Sequence, residues 1–191
     1  MPRHTVVRRH LRALPHGEVA GAIQAVRVSR ASAPVKLAFE FLALTAARSG
    51  EVRLATWDEM DCDAAVWLVP GARMKAKRDH RVPLSERALE ILGDAQNLRD
   101  AAGLVFPSPR GKPLSGMTLS KLIKDLGLPA VPHGFRSSFR NWAAEQTNTP
   151  RDVVEAALAH TVRNPTEAAY ARSDLFARRR RPMDDRATYL T

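Results

Sequence analysis

Cysteine is nearly absent: Cys62 is the only one among 191 residues. A lone thiol makes neither a disulfide framework nor a thiolate zinc site, which fits a reducing, cytoplasmic setting. No apolar run approaches the roughly 20 residues of a membrane span. The opening MPRHTVVRRH lacks the apolar stretch that follows in a secretory signal. Aromatics are few (Phe 6, Trp 3, Tyr 2) and sit mostly at core-like positions, so there is no stacking platform for RNA bases. Internal repeats and low-complexity segments are missing too. Acid is the last shortage: 20 Asp and Glu face 30 Lys and Arg, for a net charge of +10. A cored chain this basic points to a polyanionic partner, nucleic acid first. The bland alternative is a solvated basic surface.

The length suits one well-filled core. Residues 1–33 are basic and broken by Pro15-His16-Gly17; Leu11, Val19, Ile23 and Val26 suggest short helical pieces in a linker or a loosely docked arm. Pro34 opens an almost wholly apolar helix with Leu37, Phe41 and Leu44 on one stripe. Ser49 is placed to cap a short helix with Glu51 in its first turn. Arg48, at that junction, is either paired with Glu51 or aimed at a ligand.

Strand signals follow. Val66–Val69 ends at Pro70-Gly71, and residues 73–84 read as a second hairpin with its basic turn near Lys77–Asp79. The acidic turn Asp58, Glu59, Asp61, Asp63 lacks the spacing of a calcium loop and reads as solvated. Helices are expected from Ser85 to about Leu98, Ser115 to Leu126, His133 to about Gln146, and Pro150 to Ala159. A short helix after Asn164-Pro165 carries Tyr170. A final one, Leu175 to about Leu190, is interrupted by Pro182. The expected fold class is α+β, mainly helical, with a small three-stranded antiparallel sheet.

His133 and Arg136 lie three apart on one helix face, and Arg140 extends it. With the helix's N-terminal amides they make a reasonable anion cradle. Alone, each candidate has an ordinary reading: a capping histidine with a surface arginine, a dipole histidine at His160, a packing tyrosine at Tyr170. The order of segments changes the balance. Leu44-Thr-Ala-Ala-Arg48-Ser-Gly-Glu51, Met74-Lys75-Ala-Lys77, Val82-Pro83-Leu84-Ser85, Pro132-His133-Gly-Phe-Arg136, Leu158-Ala-His160 and Ala169-Tyr170-Ala-Arg172 occur in succession. Over residues 34–190 the chain resembles the catalytic domain of tyrosine recombinases, the phage-integrase family. It looks nearest to satellite-phage and pathogenicity-island integrases, bacterial or phage-encoded.

The resemblance implies site-specific cleavage and rejoining of DNA through a 3′-phosphotyrosyl intermediate, without metal, ATP or other cofactor. It makes Arg48 and Arg136 the phosphate-binding pair, Lys75 the sheet lysine, His133 and His160 the histidine positions, Tyr170 the nucleophile and Glu51 the acid that orients the site. Lys77, Arg78, Arg140 and Arg172 are expected to contact DNA; the basic run Arg178–Arg181 either grips DNA or is a solvated face. The implied partner is double-stranded DNA at attachment sites, met by a homo-tetramer. Family members carry a core-binding domain upstream, which residues 1–33 are too few to form. Residues 34–191 are therefore expected to be the catalytic domain, alone or left by truncation. Competing readings are a type IB topoisomerase-like relaxation of supercoils, told apart by product, and a non-catalytic DNA-binding module, told apart by a covalent adduct.

Overall fold

The computed structural model describes residues 12–98, 102–160 and 174–191. Eight helices and one small sheet are found among them. The helices are α1 (Val19–Val28), α2 (Ala33–Thr45), α3 (Ser49–Arg53), α4 (Glu86–Gln96), α5 (Thr118–Asp125), α6 (Gly134–Gln146), α7 (Arg151–Ala157) and α8 (Phe176–Leu190). Strands β1 (Met60–Asp61), β2 (Val66–Val69) and β3 (His80–Pro83) pair antiparallel in that order, with Trp67 opposite Val82 and Val69 opposite His80. This is the expected mainly helical α+β architecture.

α2 is the central element. Its residues from Ala38 to Thr45 are all buried, as a helix apolar on every side must be. Phe41 meets Trp67 of β2 and Phe106, with ring centroids 5.4 and 5.5 Å apart, and Phe39 meets Phe135 of α6 edge-on at 5.1 Å. Full burial of such a side chain contributes about 1.5–3 kcal/mol, so these contacts fix where the sheet and α6 sit. A second apolar cluster, including Phe139, Trp142, Val154, Leu158 and Met183, joins α6, α7 and α8.

Several local expectations change. Residues 73–77 are not a strand; a 3-10 turn over Gly71–Arg73 and further turns replace the first arm of the expected second hairpin. Asp79 Oδ1 accepts the Gly71 amide at 2.7 Å and closes this loop on itself, so its polar groups are met without a ladder. Arg48, not Ser49, holds the N-cap position of α3. α8 runs through Pro182 without interruption: Arg179, Met183, Arg186, Ala187 and Leu190 are buried along it, and that packing outweighs one missing amide bond. Glu59 of the acidic turn is not solvated; it is nearly buried and paired with Arg73.

The stretch from Leu14 to Val26 packs on the body: Leu14, Val19, Ala22, Ile23 and Val26 are at most 2% exposed and belong to the main core. Arg12 O accepts the Val131 amide at 3.1 Å and Leu14 O accepts the Ser138 hydroxyl at 2.5 Å. Gly134 permits this crossing, since a Cβ there would lie 2.2 Å from Arg12 O. This strap lies against the start of the helix that carries Arg136.

Candidate active site

The site is built where helix ends converge. α2 ends at Ala46 in the left-handed conformation (φ 50°), and the turn after α7 does the same at Ala159 (φ 47°). Both leave carbonyls without helical partners. Arg136, projecting from the first turn of α6 and only 3% exposed, collects them: Nη1 donates to Ala46 O at 2.6 Å and Nη2 to Leu158 O. A cation at two helix C-termini is also favoured by both dipoles. Its Nε–H is buried and has no partner among the described residues.

Arg48 stands beside it, half-buried. Nη1 donates to Glu51 Oε1 at 2.7 Å, while Glu51 Oε2 accepts the Arg48 amide at 2.8 Å. One carboxylate thus caps α3 and orients the guanidinium. Nη2 reaches Ala159 O at 3.5 Å. His133 occupies the N-cap position of α6. Partial burial holds its pKa below the ordinary histidine value, and the charges of Arg136, Arg48 and His160 press it down further. Arg136 is itself lowered to about 10, by burial first and the Arg48 charge second, with Glu51 and Glu155 opposing. His160 donates from Nδ1 to Glu155 Oε2 at 2.6 Å; a carboxylate only accepts, so Nδ1 carries the proton and Nε2 is left for another partner.

Arg48, His133, Arg136, His160 and Glu51 therefore come together from the ends of α2, α3, α6 and α7. Lys75 lies in the exposed β2–β3 loop, with Lys77 and Arg78 further along it, and none of the three has a side-chain hydrogen bond or ion pair among the described residues. Arg140 is exposed but paired: its Nε lies 2.8 Å from Glu155 Oε1. Tyr170 and Arg172 lie outside the described residues. Arg178 and Arg181 are exposed on α8, whereas Arg179 is fully buried, bonded to Arg81 O and Asp174; that basic run is therefore not one uniform face.

Two residues escaped the sequence reading. Glu155 holds both His160 and Arg140; its only signal was an acid five before a histidine at a helix end. His80, on β3, is largely buried, and that burial, with the Arg179 charge next, lowers its pKa to about 4. Nothing in its local sequence distinguishes it from a polar residue of a basic hairpin. No group of metal-ligating side chains is found among the described residues. A cavity of about 720 Å³ between the α6–α7 loop and α8 is lined by Trp142, Pro150 and Tyr189 among others, and by none of the cluster.

Known proteins with the same pattern now decide the family. The profile described as "Phage integrase family" matches residues 12–175. The chain belongs to the phage integrase family. Among curated relatives, Prophage integrase IntA of Escherichia coli K12 is 40% identical over 162 residues, covering 83% of this chain and 39% of that protein. The integrase from mycobacterium phage Brujita has the same fold, with a TM-score of 0.65 at 22% identity over 92% of this chain and 59% of that one. A lambda integrase dimer bound to a COC′ core site gives 0.60 at 22% identity, over 86% and 59%. This integrase-family chain spans under half the length of the curated relatives it matches. No helix among its described residues is long and apolar enough to cross a membrane.

Proposed function

We propose that this chain is the catalytic unit of a site-specific DNA recombinase, and that it cleaves and rejoins DNA through a 3′-phosphotyrosyl intermediate. The observation that carries the reading is the meeting of Arg48, His133, Arg136 and His160, close enough that three cationic groups depress the His133 pKa together. A phosphodiester repels anionic nucleophiles, and two guanidiniums donating to its non-bridging oxygens offset the charge that grows in the transition state. Among the described residues the Arg136 Nε–H has no partner, which suits such a ligand.

In the proposed step the Tyr170 oxygen attacks phosphorus and its proton passes to His133, which is neutral at working pH. The bond from phosphorus to the 5′ oxygen breaks, and that oxygen takes a proton from Lys75. His160, protonated on both ring nitrogens in this step, donates Nδ1–H to Glu155 and Nε2–H to the phosphate. Rejoining is the reverse: the 5′ hydroxyl displaces the tyrosine. The bond energy is conserved in the phosphotyrosine, so no ATP is consumed, and the arginines supply the charge compensation that a metal provides elsewhere. Lys77, Arg78, Arg140 and Arg172 are proposed to follow the DNA backbone, with homo-tetramers assembling on paired attachment sites. The catalytic unit is proposed to begin near residue 12, where the family match starts and the strap meets α6.

A nicked suicide substrate tests this. Wild-type chain should form a covalent protein–DNA adduct that Tyr170→Phe does not. DNA binding by both without an adduct from either would support a non-catalytic binding module. Relaxation of supercoils without strand exchange would support the topoisomerase-like reading.

A further inference from the structure

The loop that carries Lys75 is tied to the body at several points. Met74, the residue before it, is buried in the main core, and Asp79 closes the loop on the Gly71 amide. Two residues before Lys75, the Arg73 guanidinium leaves the loop in two directions. Its Nη1 donates to Glu51 O at 3.1 Å and its Nη2 to Glu59 Oε2. The same Glu59 oxygen accepts the Nε1–H of Trp67 at 2.9 Å, from a fully buried side chain of β2. Glu51 in turn holds the Arg48 guanidinium through its carboxylate. We propose that Arg73 is a positioning residue for strand cleavage: it docks the Lys75 loop on α3, with Glu59 holding it there, so that the proton donor and the arginine clamp share one support.

The carbonyls of a helix end lack helical partners, and a guanidinium that donates there also meets the negative end of the helix dipole. Only 20% of the Arg73 side chain and 9% of the Glu59 side chain are exposed. This pair is therefore unlike a solvated surface ion pair, which contributes little; removing one partner strands a mostly covered charge. The planar fork matters as well, since a lysine ammonium cannot reach two acceptors on opposite sides in the same way. Lys75 itself is exposed, so its aim depends on the backbone beneath it. A proton donor must come within hydrogen-bond reach of the leaving oxygen, and a shift of about 1 Å is enough to slow the transfer. Met74 and Arg73, on the near side of Lys75, supply that placement.

The catalytic part of this proposal rests on the reading of Lys75 as the donor to the 5′ oxygen; the docking of the loop does not. A duplex with sulfur in place of the scissile 5′ bridging oxygen tests both. Sulfur leaves as a thiolate with the bonding pair and needs no proton, so a defect in the acid slows the oxygen substrate alone. Arg73→Met should cleave the oxygen substrate about 10- to 100-fold more slowly and the sulfur substrate at close to the wild-type rate, with DNA affinity unchanged. Lys75→Ala should show the same split. Arg73→Lys keeps a charge beside Glu59, which guards against misfolding, and should show the split in smaller degree. A wild-type rate for Arg73→Met on the oxygen substrate overturns the proposal. So does an equal loss on both substrates while Lys75→Ala shows the split. If Lys75→Ala loses equally on both, or wild-type chain makes no adduct, it is the reading that fails. Tryptic nicking after Lys75 and Lys77 then decides the dock: faster nicking in Arg73→Met supports it, and unchanged nicking sinks it.

Discussion

Arg136 holds two helix ends together with the same guanidinium that would clamp a phosphate. Lysine presents a single compact charge and cannot span two carbonyls about a planar fork. Arg136→Lys should therefore lower single-turnover cleavage by about 100- to 1000-fold and also lower the thermal midpoint; Arg48→Ala should cost cleavage with a smaller loss of stability, since Arg48 is more exposed. A lysine variant with wild-type kinetics would deny Arg136 its place. The histidines make a pH prediction. His80 has a folded pKa of about 4, below the unfolded value near 6.5. Between these values the unfolded chain binds more protons, so stability falls as pH drops through that window, by up to about 3 kcal/mol for this group. Above pH 6.5 it contributes no pH dependence. Denaturant titrations at pH 7 and pH 4.5 should show the loss, and His80→Gln should lessen it. His133 is lowered as well, so cleavage should persist somewhat below the ordinary histidine range before it fails on the acid side.

At the level of elements, the site is made of helix ends, and α6 is its beam. Gly134 lies under the 12–14 strap, where an added methyl would meet Arg12 O at 2.2 Å and the Ala13 Cα at 2.9 Å. Backbone must move, so Gly134→Ala should destabilise the fold by about 1–3 kcal/mol and slow cleavage more than Gly21→Ala, where nothing lies within 4 Å. Equal behaviour of the two variants would mean that the strap does not bear on α6. The sequence was informative where periodicity and caps act locally. The apolar α2, the Ser85 cap accepting from the Ala88 amide and the stop at Gly127 (φ 67°) were all legible, and so were the residues of the arginine–histidine cluster. What was hidden depends on distant partners. Residues 73–77 have strand-like composition but join no strand among the described residues, because Asp79 turns the loop back. Val19, Ile23 and Val26 carried a helical signal, yet only the approach to α2 shows that they are core. Glu155 became visible only when α7 was set against α6, and His80 only when α8 was packed on β3.

For the whole molecule, the excess of +10 has consequences that no single contact carries. Each phosphate neutralised releases counterions, so DNA affinity should weaken by at least about tenfold between 50 and 200 mM salt; fluorescence anisotropy with a labelled duplex measures it, and a flat response would move the DNA contact off the basic surface. The chain spans under half of its curated relatives, and the strap over α6 is the covalent route by which anything preceding residue 12 would reach the cluster. The chain has two tyrosines, which makes the nucleophile assignment open to direct test. Tyr189 accepts or donates at His16 Nδ1, 2.7 Å away, and packs on Trp142, far from any role proposed for the cluster. The decisive measurement is mass mapping of the covalent adduct trapped on a suicide substrate. The account predicts that the nucleotide is carried by the tryptic peptide of residues 164–172, on Tyr170. A nucleotide on Tyr189, or on any other residue, would contradict it.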